Sequence, residues 1–418
     1  MTSRTHSSSH PEPPSSGWGE TLDTLVDELL PRMQRVREHL HEHPELSGQE
    51  FETTQYIRSQ LDKDQFRLRT GPDGRGLIVD AGPTPSSAVI ALRADIDALP
   101  IQDVKDTPYK STKSGIMHAC GHDAHTASVL GAVWAIEVAR ERGLMSCQIA
   151  YRAIFQPAEE TNKGALEMCD ADALEGVGAI IGAHMDPSRP AGIVGVRDGV
   201  FTADCVELGI RITGRGGHAA RPHESLDPVA VAAQLITSLY LFVPRGADTH
   251  DPVVLSFGAI HGGDAPNSIP DEVMLRGTLR TMSPESRKSA IDHIRRLGDG
   301  LATASTTGIE ITTIEGPPAL INDADLSSLI AQEARQSQGD AHVHQIPKPS
   351  MGGEDFANYL ATVPGAMFRV GCGAGNPSPP LHSPRFDVEP KALAVTARIL
   401  ARAVCAWTEE HQARGGAT

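Results

Sequence analysis

Four short apolar runs in the first half of the chain alternate with helix-like segments, and this alternation constrains the fold most. The runs cover residues 76–81, 88–94, 149–155 and 179–183, and a helix-like segment, 126–140, lies between the second and the third. Continuous apolar runs of about four to eight residues are typical of strands buried on both faces, as in parallel sheets covered by helices. The sequence therefore predicts an α/β fold built on a mostly parallel sheet.

The pattern of strand-like and helix-like segments changes near residue 200. Strand-like segments at 205–213, 253–259, 272–281 and 309–315 alternate with helical segments at 227–242 and 284–304. Their order, strand-helix-strand-strand-helix-strand, is that of a ferredoxin-like module. After Pro317 the α/β character returns. We therefore expect an inserted α+β domain at 200–316 within a discontinuous α/β domain made of 21–199 and 317–418.

Composition and charge limit what the chain binds and where it acts. The formal net charge of −16 would repel nucleic acid phosphates and anionic membranes, so we expect neither as a partner. Residues 1–20, rich in Ser and Pro, are predicted to be a disordered tail, and they lack the apolar stretch of a signal peptide. No later run approaches the ~20 apolar residues of a membrane span. The six cysteines are irregularly spaced and do not indicate a disulfide framework, so we expect a soluble, cytoplasmic protein.

Several side chains that can act as metal ligands are grouped where predicted strands end. They are Asp95 and Asp97 after the second run, Cys120, His122 and Asp123 before the helix, Glu159 and Glu160 after the third run, His184 after the fourth, and His382 near the C-terminus. Ligands of open α/β sheets bind at this carboxyl edge, and Cys, His and carboxylates all ligate divalent metals. Taken singly, each cluster has an ordinary explanation, such as a hydrogen-bonded structural histidine, a turn-capping aspartate or a helix start. Their recurrence at successive strand ends favours a metal site.

The adjacent Glu159 and Glu160 suit metal-assisted hydrolysis. One carboxylate can ligate a metal while its neighbour takes a proton from a water molecule whose pKa the metal lowers from about 15.7 towards ~7. The same carboxylate can then pass the proton to a leaving amine. The pair therefore indicates a hydrolase.

Seven motifs resemble, in order, those of one enzyme family. They occupy residues 41–47, 93–100, 117–125, 155–160, 214–220, 351–356 and 381–382. From about Leu25 to Ala403 the chain resembles the amidohydrolase branch of the aminoacylase/carboxypeptidase superfamily, which includes hippurate hydrolases, indole-acetyl-amino-acid hydrolases and N-acetyl-diaminopimelate deacetylases. The resemblance implies metal-dependent hydrolysis of the amide bond of N-acyl amino acids, which releases a carboxylic acid and a free amino acid. It also implies that the α/β domain is catalytic and that the inserted domain is a lid and forms a homodimer.

The resemblance assigns a role to each candidate residue of the metal site. It implies two divalent ions per chain, manganese or zinc with nickel or cobalt as alternatives, held by Cys120, His122, Glu160, His184 and His382. A thiolate ligand favours zinc over magnesium or calcium. Glu159 would be the general base, and Asp95, Asp97 and Asp123 would orient the ligands from behind.

The resemblance also implies residues that bind the substrate. His218, in a glycine-rich turn of the inserted domain, would reach the site of the partner subunit and polarise the scissile carbonyl. Asn267 and Arg280 would bind polar groups of the substrate, and the fork of an arginine suits a free α-carboxylate. Gly352 and Gly353 would offer backbone N–H groups to the same carboxylate, although a plain turn also explains them.

Three alternatives stay open at this point. A dipeptidase or carboxypeptidase of the same superfamily would use the same chemistry on a peptide bond. A cysteine hydrolase would use Cys120 as its nucleophile and His122 as its base. A metal-containing protein without catalytic activity would not need Glu159, which adds nothing to metal affinity if Glu160 is the ligand.

Overall fold

A computed structural model describes residues 17–61, 65–84, 88–145, 149–373, 375 and 377–415. The predicted tail therefore lies mostly outside the described residues, but its end needs a correction. The first helix begins at Trp18, inside the segment 1–20 that we predicted as tail. The Trp18 ring is buried, and its Nε1 donates to Glu409 at 2.8 Å in the last helix, so the packing of this ring extends the helix.

Within the described residues the chain forms eight α-helices and sixteen strands. The α-helices are α1 Trp18–Glu42, α2 Phe51–Ser59, α3 His122–Glu141, α4 Gly164–Asp170, α5 Pro228–Phe242, α6 Pro284–Ser305, α7 Ala324–Gln338 and α8 Pro390–Gly415. The strands are β1 Phe66–Thr70, β2 Leu77–Ala81, β3 Val89–Asp95, β4 Tyr151–Gln156, β5 Val177–Pro190, β6 Val194–Val196, β7 Gly199–Thr202, β8 Asp204–Thr213, β9 Gly217–His218, β10 Val254–His261, β11 Ser268–Ile269, β12 Glu272–Thr281, β13 Gly308–Glu315, β14 Leu320–Asn322, β15 Val343–Gln345 and β16 Gly365–Gly373.

The larger sheet has the strand order β1-β2-β4-β3-β5-β16-β6-β15. Its central strands, β4, β3, β5 and β16, are parallel, whereas β1 and β2 join antiparallel at one side. Along β3, Ile90 and Leu92 pack into the core under α1, α3 and α8, while Val89 and Ala91 pack into the core on the other face. Both faces of this sheet are therefore buried, which explains the unbroken apolar runs.

The second sheet lies within residues 204–315 and has the order β10-β12-β8-β13. Its strands are antiparallel, and its apolar residues share a core with α5 and α6. Strand-helix-strand-strand-helix-strand is the predicted ferredoxin-like order. The predicted fold class, a mostly parallel α/β sheet with an inserted α+β unit, is confirmed.

Helix α5 is more apolar than the sequence analysis expected. Residues 228–246 are long and apolar enough to cross a membrane by length and composition alone, which corrects the expectation that no such run exists. One face of the helix, with Leu235 and Leu239, is buried in the core of the second sheet, whereas Leu241 and Phe242 are exposed. A core helix of a soluble protein passes the same test of length and composition.

The edge at which the parallel strands end positions the candidate site. Strand β3 ends at Asp95 and β4 ends at Gln156 in the adjacent register position. Strand β5 pairs with β3 as far as Gly182 and then continues beside β16, so His184, two residues further on, lies level with Asp95 at the end of β3. Three segments of the chain therefore deliver side chains to one end of the sheet, as the carboxyl edge of a parallel sheet does.

Candidate metal centre and active site

The five predicted metal ligands come together at this edge in two groups of side chains. The ligand atoms of Cys120, His122 and His184 lie within 4.8 Å of one another, and so do those of Cys120, Glu160 and His382. The Cys120 sulfur belongs to both groups. Because it is shared, the five side chains would be able to hold two ions close to each other.

Tight turns bring these side chains to the edge. Gly121, between Cys120 and His122, has φ +93°, a conformation that favours glycine, and a Cβ there would lie 3.1 Å from the Met185 side chain. The one-turn 3₁₀ helix Glu159–Thr161 directly follows β4. The loop that carries His382 is held by the donation of the His382 N–H to the Ala119 carbonyl at 2.8 Å.

Two of the imidazole rings have the hydrogen bonds expected of metal ligands. His184 Nδ1 lies 2.8 Å from the Met185 carbonyl, and His122 Nδ1 lies 2.9 Å from the Asp97 carbonyl. Donation through Nδ1 leaves Nε2 free to ligate. Burial lowers the pKa of His184 well below its usual value, so this ring is neutral, as a ligand must be.

Unpaired buried atoms and an excess of carboxylates show that a cation fits this site. His122 Nε2 and Glu160 Oε1 are buried without a hydrogen bond of normal geometry to any described residue. Carboxylate oxygens of Asp95, Glu159 and Glu160 lie 3.6, 3.8 and 3.9 Å from His122 Nε2. A buried site with this much negative charge and unpaired ligand atoms is suited to a divalent ion.

Glu159 occupies the position that a proton carrier needs. It is buried, and burial together with the nearby charges of Glu354 and Asp355 raises its pKa well above the usual value of a glutamate. Burial likewise raises the pKa of Glu160 to about 7. A carboxylate whose pKa is raised towards neutrality holds a proton more readily, which suits general acid–base chemistry.

A cavity of about 320 Å³ opens beside these residues. Its lining combines candidate metal ligands with polar groups from several segments: Cys120, Glu159, Glu160, Asn162, His184, Phe201, Thr202, Cys205, Arg280, Ser350, Gly352, Gly353, Glu354, Met367, Arg369, Leu381 and His382. Arg280 reaches it from β12 of the second sheet and donates to the Met351 carbonyl at 2.7 Å. The cavity is therefore a small-molecule site that both sheets help to build.

Residues 91–406 match the family described as peptidase family M20/M25/M40. This chain belongs to that family. An N-acetylcysteine deacetylase of Bacillus subtilis is 38% identical to it, over 88% of this chain and 95% of the relative. A thermostable carboxypeptidase of Saccharolobus solfataricus is 32% identical, over 90% and 96% of the two chains. The crystal structure of a Bacillus subtilis protein, described as a dinuclear metal binding peptidase from the M20 family, has 33% identity and a TM-score of 0.79, with 92% and 99% of the two chains covered.

Membership in the M20/M25/M40 family makes this chain a hydrolase of amide bonds. The predicted enzyme class and the family resemblance are confirmed.

The three predicted supporting aspartates of this M20-family enzyme differ in what they contact. Asp97 accepts from the Glu160 N–H at 3.0 Å and lies 3.2 Å from His122 Nδ1, so it touches two candidate ligands. Asp95 contacts His125 Nδ1 at 2.6 Å and lies 3.6 Å from His122 Nε2.

Asp123 needs a correction. Its carboxylate contacts Arg37 at 2.9 Å and His41 at 2.7 Å, and no candidate ligand is among its described side-chain partners. Helix geometry explains this, because consecutive residues of a helix point in different directions and Asp123 therefore points away from the His122 ring.

The five residues predicted to contact the substrate fall on two surfaces. Arg280, Gly352 and Gly353 line the cavity. The Gly352 N–H already donates to Ser350 Oγ at 3.0 Å, so it is not a free donor, which corrects one prediction. His218 and Asn267 do not line the cavity of their own chain. Both are exposed, His218 on β9 and Asn267 directly before its partner strand β11.

Sequence reasoning missed a buried group of charges behind the metal centre. Arg93 donates to Asp95 and Asp355 at 2.8 Å each and lies 3.1 Å from Glu354. His125 links this group to β5, because its Nε2 accepts from the Met185 N–H at 2.9 Å. One signal in the sequence does point to Arg93, since a charged residue inside the apolar run 88–94 must find partners once it is buried.

Proposed function

We propose that this enzyme hydrolyses the amide bond of N-acyl amino acids with two divalent ions, manganese or zinc, held by Cys120, His122, Glu160, His184 and His382. The observation that carries the proposal is Glu159, a buried carboxylate that is not needed as a ligand. It lines one cavity with Arg280 and four of the five ligands, and it lies 3.8 Å from Nε2 of the fifth, His122. The relatives named N-acetylcysteine deacetylase act, by name, on an N-acyl amino acid, which supports this substrate class.

Each residue of the site has its own role in the proposed hydrolysis. Bound metal ions would supply Lewis acidity, which lowers the pKa of water and polarises a carbonyl. Glu159 takes the proton of the attacking water on its carboxylate and later delivers it to the leaving amine. The Arg280 guanidinium holds the substrate α-carboxylate, with the Gly353 N–H beside it in the cavity lining. Asp97 keeps Glu160 and His122 in place through the contacts described above.

A cysteine hydrolase is a weaker candidate for this cavity. The nucleophile of such an enzyme is a thiolate, which requires a lowered pKa. Burial raises the pKa of the Cys120 thiol instead, and this effect outweighs the opposite effect of the neighbouring His122 imidazole. Cys120 is therefore better suited to a metal, which displaces its proton.

A peptidase is the second candidate, favoured by the relative named carboxypeptidase. A dipeptide also presents a free α-carboxylate to Arg280 and an amide to Glu159. We propose the N-acyl amino acid because the relatives with 38% and 36% identity, both above the carboxypeptidase, are named as deacetylases. We also propose that this enzyme acts in the cytoplasm and as a homodimer.

The test combines metal reconstitution with a matched pair of variants. The metal-free protein is loaded with manganese, zinc, cobalt or nickel and assayed for free amine on acetyl and benzoyl amino acids and on dipeptides. We expect Glu159→Gln to lower kcat by about 100-fold or more while it still binds two ions per chain. Glu160→Gln, the adjacent control, should lose metal.

Three results would contradict the proposal. They are near-normal turnover of Glu159→Gln, activity that survives chelators but not alkylation, and the release of amine from dipeptides alone.

A further inference from the structure

The substrate cavity contains a second guanidinium group, Arg369, for which the proposed mechanism has no use. Arg369 lies on β16 in register with His184 on β5, so its place beside the metal centre is fixed by the sheet. Its Cζ lies 5.5 Å from the centre of the Phe201 ring, and 26% of its side chain is exposed. Arg280 and Arg369 thus bring two positive charges to one small cavity.

Arg369 is not satisfied by the protein around it. Its side chain donates no hydrogen bond to any residue that the structure describes, and its closest carboxylate oxygen, on Asp186, is 3.8 Å away. That carboxylate already accepts from Arg189 Nε at 2.9 Å and from the Ser188 N–H at 3.0 Å. The ring of Phe201 orients the Arg369 guanidinium. An aromatic ring, however, accepts no hydrogen bond from the N–H groups that point outward in the guanidinium plane.

A guanidinium that is largely removed from water without hydrogen-bond acceptors is unfavourable unless a ligand supplies them. The planar fork of arginine matches a carboxylate, which can accept two parallel hydrogen bonds. The cavity lining also contains the carboxylates of Glu159, Glu160 and Glu354, and the positive charge of Arg369 offsets their repulsion of an anionic ligand.

We propose that Arg369 binds a second carboxylate, so that the preferred substrates are N-acyl amino acids with two carboxylates. The second carboxylate belongs either to an acidic amino acid or to a dicarboxylic acyl group. This inference rests on the proposed function, because it takes Arg280 as the site of the α-carboxylate. A cavity of about 320 Å³ accommodates ligands of this size.

The test measures binding separately from turnover. The full-length Glu159→Gln protein, loaded with zinc, is titrated by calorimetry with N-acetyl-glutamate and with its neutral isostere N-acetyl-glutamine, and then with N-succinyl-alanine and N-butyryl-alanine. We expect at least one dianionic ligand to bind about tenfold more tightly than its partner. The pair that shows the difference identifies which end of the substrate carries the second carboxylate.

Variants of Arg369 identify the group responsible. Arg369→Met, added to the Glu159→Gln protein, should abolish the preference while the binding of the monoanionic ligand changes less than about threefold, and Arg369→Lys should retain part of it. Arg385→Met is the control, since Arg385 is exposed, lies three residues from His382 and does not line the cavity. It removes the same charge and should keep the preference.

Equal binding of both members of each pair, or a preference that persists in Arg369→Met, would overturn the inference. Assays of the unmodified enzyme then separate the two proposals. Turnover of N-acyl amino acids without a preference for two carboxylates would leave the proposed function intact and remove only the role of Arg369. A binding preference for two carboxylates without any metal-dependent turnover would leave the role of Arg369 intact and contradict the proposed function.

Discussion

Arg93 is a fully buried charge that holds three carboxylates, two of which come from a distant part of the chain. Asp95 lies two residues away, whereas Glu354 and Asp355 lie more than 250 residues further along the chain. Burial lowers the pKa of the Arg93 guanidinium, but the surrounding carboxylates outweigh this and raise it, so the side chain stays charged. Arg93 therefore neutralises the buried carboxylates behind Glu159 and holds in place the loop that contributes Glu354 to the cavity.

Loss of Arg93 should destabilise the protein strongly. We expect Arg93→Met to lower the free energy of unfolding by about 3–5 kcal/mol, because three buried carboxylates lose their counter-ion. Chemical denaturation monitored by circular dichroism measures the effect, and Arg93→Lys should be intermediate. Arg67→Met on β1 is the control, since Arg67 is exposed, and its effect should stay below about 0.5 kcal/mol. An Arg93→Met protein as stable as this control would refute the role given to Arg93.

Contacts outside the larger sheet connect the two chain segments that carry His122 and His382. Arg37, on α1, pairs with Asp123 in the first turn of α3 and with Asp387 in the loop after His382. Lys105 Nζ donates to the Phe386 carbonyl of the same loop at 2.7 Å. Helix α1 thus joins the segment that carries His122 to the loop that carries His382.

This junction predicts a positioning role for Arg37 in metal binding. We expect Arg37→Met to weaken zinc affinity by about 10–100-fold, as the loss of groups that support ligands does, with partial rescue by Arg37→Lys. Competition with a chromophoric chelator measures the dissociation constant. Arg35→Met is the control, because Arg35 is exposed two residues earlier on the same helix. A variant that unfolds more easily yet binds zinc normally would show that Arg37 has only a structural role.

At the scale of the whole molecule, the substrate site is divided between two folded units. The larger sheet carries the candidate metal ligands, and the second sheet contributes Arg280 to the cavity. The exposed residues His218 and Asn267, at the short β9–β11 ribbon, belong to the second unit and are not among the residues that line the cavity of their own chain. A homodimer in which this ribbon completes the site of the partner would give these residues a function.

A mixed dimer tests this arrangement. Glu159→Gln and His218→Ala are co-expressed with different affinity tags, and tandem purification isolates dimers that contain one chain of each. Each parent should be nearly inactive, whereas the mixed dimer should recover about half of the normal activity, because one of its two sites combines an intact Glu159 with the partner's intact His218. His223→Ala, at an exposed histidine five residues away, is the control and should stay active on its own.

Failure to recover a mixed dimer would contradict the prediction that the protein is a homodimer. A mixed dimer that is as inactive as its parents would contradict the shared site.

The sequence alone determined the fold class and the edge at which the candidate ligands lie. Buried parallel strands require continuous apolar runs, and the residue after such a run sits at the carboxyl edge, so Asp95, Glu159 and His184 were placed by local pattern. The order of strands and helices likewise predicted the second sheet. These features follow from rules that act within about ten residues of chain.

Only the tertiary structure decided which distant charges meet. Four features depend on contacts between segments far apart in the chain: the pairing of Arg93 with Asp355, the pairing of Asp123 with Arg37, the burial of Trp18 and the 3.8 Å approach of Arg369 to Asp186. Local pattern carries no information on such contacts, because a side chain's partners are set by how whole elements pack and by the requirement that each buried charge be neutralised.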